Sequence, residues 1–312
     1  VTVTNVAPAL TDDDTGTVSE VATASTTVVD LDNTGDDDSI TWSITAGNLD
    51  PDGDDNKVFA INSGTGVITV NDADDLDYEV TQSYSLTVRV TDGTTNSDET
   101  ITVAVTNIAP TLTDDDTGTV SETASASTTV VDLDNTGDDD GLTWSITAGN
   151  LNPDGDGNSV FAISSAGVIT VNDADDLDYE VTQSYSLTVR VTDGTTNSDE
   201  TITVAVTNIA PTLTDDDTGT VSETASASTT VVDLDNTGDD DGLTWSITAG
   251  NLNPDGDGNS VFAISSAGVI TVNDADDLDY EVTTSYTLTV RVTDGTTNSD
   301  ETITVAVTDV GL

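Results

Sequence analysis

The 312-residue chain carries 60 Asp and Glu against 4 Lys and Arg, a formal net charge of −56. So few bases exclude a nucleic-acid partner, which is bound through Lys and Arg that displace counterions, and they argue against an anionic membrane surface. With no Cys and no His, disulfides, thiol chemistry and Cys or His metal sites are excluded, which leaves oxygen ligands and hard cations, Ca²⁺ above Mg²⁺. No apolar run approaches a membrane span and no signal peptide stands at the start, so the chain is expected to be an internal piece of a longer one, with no membrane insertion. Leu, Ile, Val and Phe supply 23 of residues 111–211. That lies slightly above the level of about one fifth at which disorder becomes the default, so the chain can fold if its acids are neutralised.

In chain order, the first hundred residues offer a short run at 17–20, another at 26–31, and the alternation Ile40, Trp42, Ile44. Runs follow at 58–61 and 67–70, and then two clean alternations, Tyr84, Leu86, Val88, Val90 and Ile101, Val103, Val105. Apolar residues at every second position, with Thr and Ser between them, predict strands with one buried face. Asn33-Thr34-Gly35, Asp52-Gly53-Asp54 and Asp92-Gly93 supply turns, and no stretch holds a 3.6-residue period. Seven such strands in about 100 residues predict an immunoglobulin-like sandwich with one Trp per unit in its core.

The unit then repeats. Pro8, Pro110 and Pro211 stand in the same context, as do Trp42, Trp144 and Trp245, at spacings of 102 and 101. Residues 111–211 and 212–312 differ at six positions, Gln183/Thr284, Ser186/Thr287 and the last four, where Asn208-Ile209-Ala210-Pro211 becomes Asp309-Val310-Gly311-Leu312. A period near 100 marks a whole domain, not a solenoid turn or propeller blade. The expected repeats are 9–110, 111–211 and 212–312, with 1–8 as the end strand and linker of a preceding repeat. The expected fold is all-β, three tandem seven-stranded immunoglobulin-like sandwiches in an extended array. At about 3.3 Å per residue each unit spans about 35–45 Å.

The acids gather in loops, not on strand faces: in the second unit at Asp114-Asp115-Asp116, Glu122, Asp132-Leu133-Asp134, Asp138-Asp139-Asp140, Asp154-Gly155-Asp156, 173–180 and Asp193. Sandwich loops cluster at the two ends, so carboxylates meet where one unit joins the next and repel unless a divalent cation lies among them. At Asp132/Asp134 and Asp178/Glu180 the i, i+2 spacing puts both acids on one side of an extended segment.

Each unit reads, in order, V-S-E, V-D-L-D, L-T-W-S-I, F-A-I with G-V-I-T, L-D-Y-E, Y-S-L-T-V-R-V-T-D-G and T-I-T-V-A-V-T-N-I-A-P. This series resembles a cadherin repeat, and more closely the cadherin-like repeats strung in arrays in bacterial surface proteins. The resemblance implies Ca²⁺ at each junction, held by the early Glu and the L-D-x-E acids of the leading repeat, the linker, and the D-x-D and late Asp of the following one. The implied ligands are Glu20, Asp77, Glu79, Asn107, Asp132, Asp134 and Asp193 at the first junction. At the second they are Glu122, Asp178, Glu180, Asn208, Asp233, Asp235 and Asp294. The family's linker reads Asp-x-Asn-Asp-Asn, whereas Ile108 or Ile209 replaces its central Asp here. Fewer ions per junction than the family's full three are therefore expected, with Asp140 or Asp241 as a supplement.

The function so implied is a calcium-rigidified structural array, extracellular or at the cell surface, forming the shaft of a bacterial adhesin or an extracellular filament. Its partners would be neighbouring repeats, other copies of the chain, or cell-surface glycans. The alternative is a calcium-dependent glycan- or surface-binding module that uses Ca²⁺ or Thr-rich faces such as Thr100 and Thr102. Paired carboxylates also suit glycoside hydrolysis, but no unit holds an acid pair the others lack, so no enzyme is expected. The loop at 152–158, Asn-Pro-Asp-Gly-Asp-Gly-Asn, resembles part of a D-x-D-G calcium loop without the distal Glu of an EF-hand. Both an exposed turn and a separate intra-repeat site remain open there. Asp12-Asp13-Asp14 and its copies read as solvated runs, and Arg89, Arg190 and Arg291 are expected to pair with local carboxylates.

Overall fold

A computed structural model of the chain describes residues 2, 4–11, 15–35, 39–113, 117–214 and 218–311. The acidic runs 12–14, 114–116 and 215–217 lie outside the described residues. In the first repeat nine strands are described: β1 (Ala9–Leu10), β2 (Thr15–Ser19), β3 (Thr27–Asp30), β4 (Asn33–Thr34), β5 (Thr41–Ala46), β6 (Phe59–Ile61), β7 (Val67–Val70), β8 (Ser83–Thr91) and β9 (Asn96–Thr106). Seven are the strands expected from the alternation. They form two sheets, β2-β9-β8-β5, with β2 parallel to β9, and β3-β7-β6. The other two, β1 and β4, are two-residue strands that pair antiparallel with each other. The second and third repeats copy this arrangement, and no helix occurs among the described residues.

The inward positions of β8 and β9 are the alternating apolar ones. Tyr84, Leu86, Val88, Val90, Ile101, Val103 and Val105 are buried, while the intervening Thr and Ser face outward or lie half-buried. Full burial of such a side chain contributes about 1.5–3 kcal/mol, so these two long strands anchor each sandwich. Phe59 packs edge-on against Tyr84 with ring centroids 5.1 Å apart. Trp42 and Trp144 are buried, and Trp245 is half-buried at the same place in its repeat. The arginines pair across β8 and β9 and their copies, Arg89 with Asp98, Arg190 with Asp199 and Arg291 with Asp300, each through two nitrogens at 2.6 and 2.7 Å.

Two local features carry the fold toward the junctions. The buried Tyr84 hydroxyl donates to the Asp75 carbonyl at 2.8 Å, and its copies Tyr185 and Tyr286 do the same to Asp176 and Asp277. Each bond ties the loop bearing L-D-Y-E to the core. The second feature is the Asn-Thr-Gly turn that follows β3. Gly137 has φ +93°, and a Cβ there would stand 2.4 Å from the Ala109 carbonyl oxygen. Only glycine lets this turn lie against the linker.

Candidate metal centres at the repeat junctions

Glu20 follows β2 directly, and its amide donates to the Thr106 carbonyl at 3.2 Å, which sets it beside the chain leaving the repeat. One carboxylate oxygen accepts from the Tyr78 amide at 3.0 Å and the other from the linker amide of Ile108. One side chain therefore joins the L-D-Y-E loop to the linker. In that loop buried Leu76 anchors the turn, and Asp77 accepts from the Val80 amide at 2.8 Å. Asn107 of the linker donates to Glu79 at 2.8 Å and accepts from the Thr196 hydroxyl of the second repeat at 3.5 Å. Thr196 also caps Asp193, whose Oδ1 takes the Thr195 amide at 2.6 Å. The second junction repeats the scheme with Glu122, Asp178, Glu180, Asn208 and Asp294, and there Thr296 bonds Glu180 directly at 2.6 Å.

The structure thus brings Glu20, Asp77, Glu79, Asn107 and Asp193 to one place. On the side of the second repeat, the cavity between the repeats is lined by residues from Asn135 to Asp140, a stretch that begins just after Asp132 and Asp134. Both flank Leu133, which is buried, on an extended segment, so both carboxylates take the outward side and are exposed. Asp132 pairs with Val168 at a strand end, and the Asp134 carbonyl accepts from the Thr113 amide. Asp233 and Asp235 flank buried Leu234 in the same way. The D-x-D pair that faces the junction lies beyond the glycine turn. Asp138 is only 2% exposed, Asp138, Asp139 and Asp140 each offer an oxygen within 4.8 Å of the others, and Asp239 to Asp241 do likewise. Asp140 and Asp241 are the supplements expected from the sequence. Asp138 and Asp239 carry no separate sequence signal, since each opens an Asp-Asp-Asp run indistinguishable from a solvated one.

The electrostatics follow from this geometry. Burial pushes the Asp138 carboxyl above its ordinary value, against the Asp140 amide that lowers it, and Glu79, Asp140 and Asp193 add repulsion. Glu20 is raised by burial in spite of its amide donors, with Asp138 and Glu79 contributing. Asp140 is raised by burial and then by Asp139, Asp77, Asp74 and Glu79. Acids of two repeats therefore act on one another across the junction, and Glu122, Asp239 and Asp241 behave alike at the next. Asp193 is the exception: burial raises it, but the Thr196 hydroxyl and the Thr195 and Thr196 amides hold it below the ordinary carboxylate range.

A cavity of about 430 Å³ opens between the repeats, lined by Glu20, Asp74 and Leu76 on one side and Gly137, Asp138 and Asp140 on the other. A second of about 370 Å³ lies between Glu122 and Asp239. The Oδ2 atoms of Asp138 and Asp239 are buried and have no hydrogen-bond partner. Buried polar atoms are almost always paired, so an orphaned carboxylate oxygen among other acids fits a hard cation. Beyond the last strand, Glu223, Glu281 and Asp309 also bring one oxygen each within 4.8 Å of one another.

The sequence model of the cadherin domain matches residues 14–108, 116–209 and 217–308. Protocadherin Fat 4 of Homo sapiens is 38% identical over 141 residues, which is 43% of this chain and 3% of that protein. The Mus musculus protein is 37% identical over the same length and shares. The chain spans a small fraction of these curated relatives. Among solved structures, Drosophila N-cadherin EC1-3 is 17% identical with a TM-score of 0.38, covering 95% of this chain and 98% of that one. The human Desmocollin-1 ectodomain is 20% identical with a TM-score of 0.34, covering 94% of this chain and 60% of that one.

Proposed function

Because the chain belongs to the cadherin family, as three of its domains in tandem, we propose that it is a calcium-rigidified structural array of an extracellular adhesive shaft or filament. The observation that carries this reading is the pair Asp138 and Asp239, buried at successive junctions with an oxygen unpartnered and facing acids of the neighbouring repeat. At the first junction Glu20, Asp77, Glu79, Asn107, Asp138, Asp140 and Asp193 are the proposed ligand set. Asp132 and Asp134 stand outside it, on the outward side of Leu133. At the second, Glu122, Asp178, Glu180, Asn208, Asp239, Asp241 and Asp294 take the same roles, with Asp233 and Asp235 outside. Calcium supplies positive charge that turns repulsion between adjoining repeats into a clamp. The protein's own part is to hold the donors: Glu20 pins linker to loop, and Asn107 spans to the next repeat.

We read the chain as a bacterial surface adhesin shaft or filament subunit and not as an enzyme, with neighbouring repeats and further copies of itself as its partners. Near identity of the second and third repeats favours a spacer over a single ligand site. Calcium-dependent binding of glycans or surfaces is the second reading, favoured by the outward Thr ladders of the long strands. Small-angle scattering with millimolar calcium and with excess EGTA tests the first: a rod in calcium that bends without it is expected, and identical profiles would refute it. Retention on a glycan array by the 312-residue chain would support the second.

A further inference from the structure

One set of acids plays no part in the junctions. In the first repeat one oxygen each of Asp50, Asp52 and Asp75 lies within 4.8 Å of the others. Asp75 is 3% exposed. Its Oδ1 accepts from the Asp52 amide at 3.0 Å, and its Oδ2 is buried with no partner. The arrangement recurs in both other repeats. The Asp154 amide bonds Asp176 Oδ1 and the Asp255 amide bonds Asp277 Oδ1, each at 3.0 Å, and the Oδ2 atoms of Asp176 and Asp277 are again buried and unpartnered. A buried carboxylate left half-paired is costly, and three copies of the same orphan show that it is built into the repeat.

We propose that every repeat holds a calcium-type cation of its own, bound by Asp52 and Asp75, Asp154 and Asp176, or Asp255 and Asp277. The third donor is the side-chain oxygen of Asp50, Asn152 or Asn253. All these donors come from one repeat, so the site needs no neighbour and does not rest on the junction reading. They are hard oxygens, and a mutual separation of 4.8 Å is no more than about twice a Ca²⁺–oxygen distance of 2.3–2.6 Å. A cavity of about 200 Å³ lined by Pro51, Asp52, Asp74, Asp75, Asp77 and Val80 adjoins it. The differences between repeats preserve it. Asp50 pairs with Lys57 at 3.5 Å, and where Asn152 and Asn253 replace Asp50, Ser159 and Ser260 replace Lys57. An acid and its counter-charge leave together, and an oxygen donor stays. In all three repeats that oxygen accepts from the glycine amide of the loop, at 2.9, 2.6 and 2.7 Å.

The test is a count of bound calcium on the full chain by equilibrium dialysis and metal analysis. The comparison is with the triple variant Asp75→Asn, Asp176→Asn and Asp277→Asn, which keeps the Oδ1 acceptor for the loop amides. The variant is expected to bind three ions fewer and, without metal, to melt no lower than the parent. A junction variant, Glu122→Gln, is expected to weaken binding at its own junction while the three intra-repeat ions remain. If the triple variant binds as many ions as the parent, the orphaned oxygens are satisfied by water and the proposal is overturned, whatever Glu122→Gln does. A reduced count in a variant that melts far below the parent without metal also overturns it, since lost fold then explains the loss.

Discussion

Asp138→Asn separates what a junction acid costs without metal from what it contributes with it. The Asp138 Oδ2 is buried and unpartnered, and leaving such an atom unsatisfied costs about 1–3 kcal/mol. Charges 4.8 Å apart, the reach of the Asp138–Asp140 cluster, repel by about 1 kcal/mol in water and about 3 at an effective dielectric of 20. Because Asp139 and Asp140 are exposed, the lower figure applies. Asn keeps the Oδ1 that accepts from the Asp140 amide at 3.2 Å and removes the charge. The metal-free variant is therefore expected to be more stable by about 1 kcal/mol, the repulsion removed, since the Asn amide still fills the buried Oδ2 position; that raises the melting temperature by about 4–8 °C for a domain of this size. In calcium the order inverts, because a ligand charge is gone; tenfold weaker binding alone corresponds to about 1.4 kcal/mol. Scanning calorimetry in EGTA and in millimolar calcium reads both signs. Equal destabilisation in the two buffers would refute the reasoning, since Asp138 would then be an ordinary hydrogen-bonded residue.

Other outcomes follow from the same geometry. Glu20, Asp138, Asp140, Glu122, Asp239 and Asp241 are all held above their ordinary values, chiefly by burial, so the folded state binds protons that the unfolded chain releases. Metal-free protein should therefore gain stability as pH falls from neutral toward the ordinary carboxylate range near about 4, and lose it as pH rises through the folded values. Asp193 and Asp294 are held low and act in the opposite sense only below about pH 4. Melting curves that are flat or that rise with pH would contradict this. Gly137→Ala forces a Cβ to 2.4 Å from the Ala109 carbonyl at φ +93°. It should cost about 1–3 kcal/mol and leave the first junction flexible to scattering even in calcium. Gly141→Ala, at φ +60° with nothing within 4 Å, should leave the junction rigid. Ser121 and Ser222 bond Thr123 and Thr224 at 3.0 Å, whereas Val21 in the first repeat leaves the Ser19 hydroxyl buried and unpartnered. Val21→Thr is thus expected to stabilise that repeat by about 0.5–1.5 kcal/mol in calorimetry; no gain would mean that the Ser19 hydroxyl is already satisfied.

The sandwich, the repeat length and the side chains of the core were legible in the sequence, because period-two alternation is a local property that one buried face imposes directly and the repeat shows in self-comparison. Tyr84 to Val90 and Ile101 to Val105 show it: every apolar member of both alternations is buried. The identity of Glu20, Asp77, Glu79, Asn107 and Asp193 as neighbours was also legible, through the resemblance of the whole ordered series. Which D-x-D meets them was not, since Asp132/Asp134 and Asp138/Asp140 share one spacing. Only the tertiary structure separated the pairs: burial of Leu133 turns its two flanking acids outward, and the glycine turn packed against the linker carries Asp138 into the junction. Asp75 likewise reads as one more acid in an acidic loop. Its burial depends on a hydroxyl donated from the core by Tyr84 to its carbonyl and on the Asp52 amide folding over its carboxylate. No local pattern specifies contacts between segments 9 and 23 residues apart, because they form only when the sheets close.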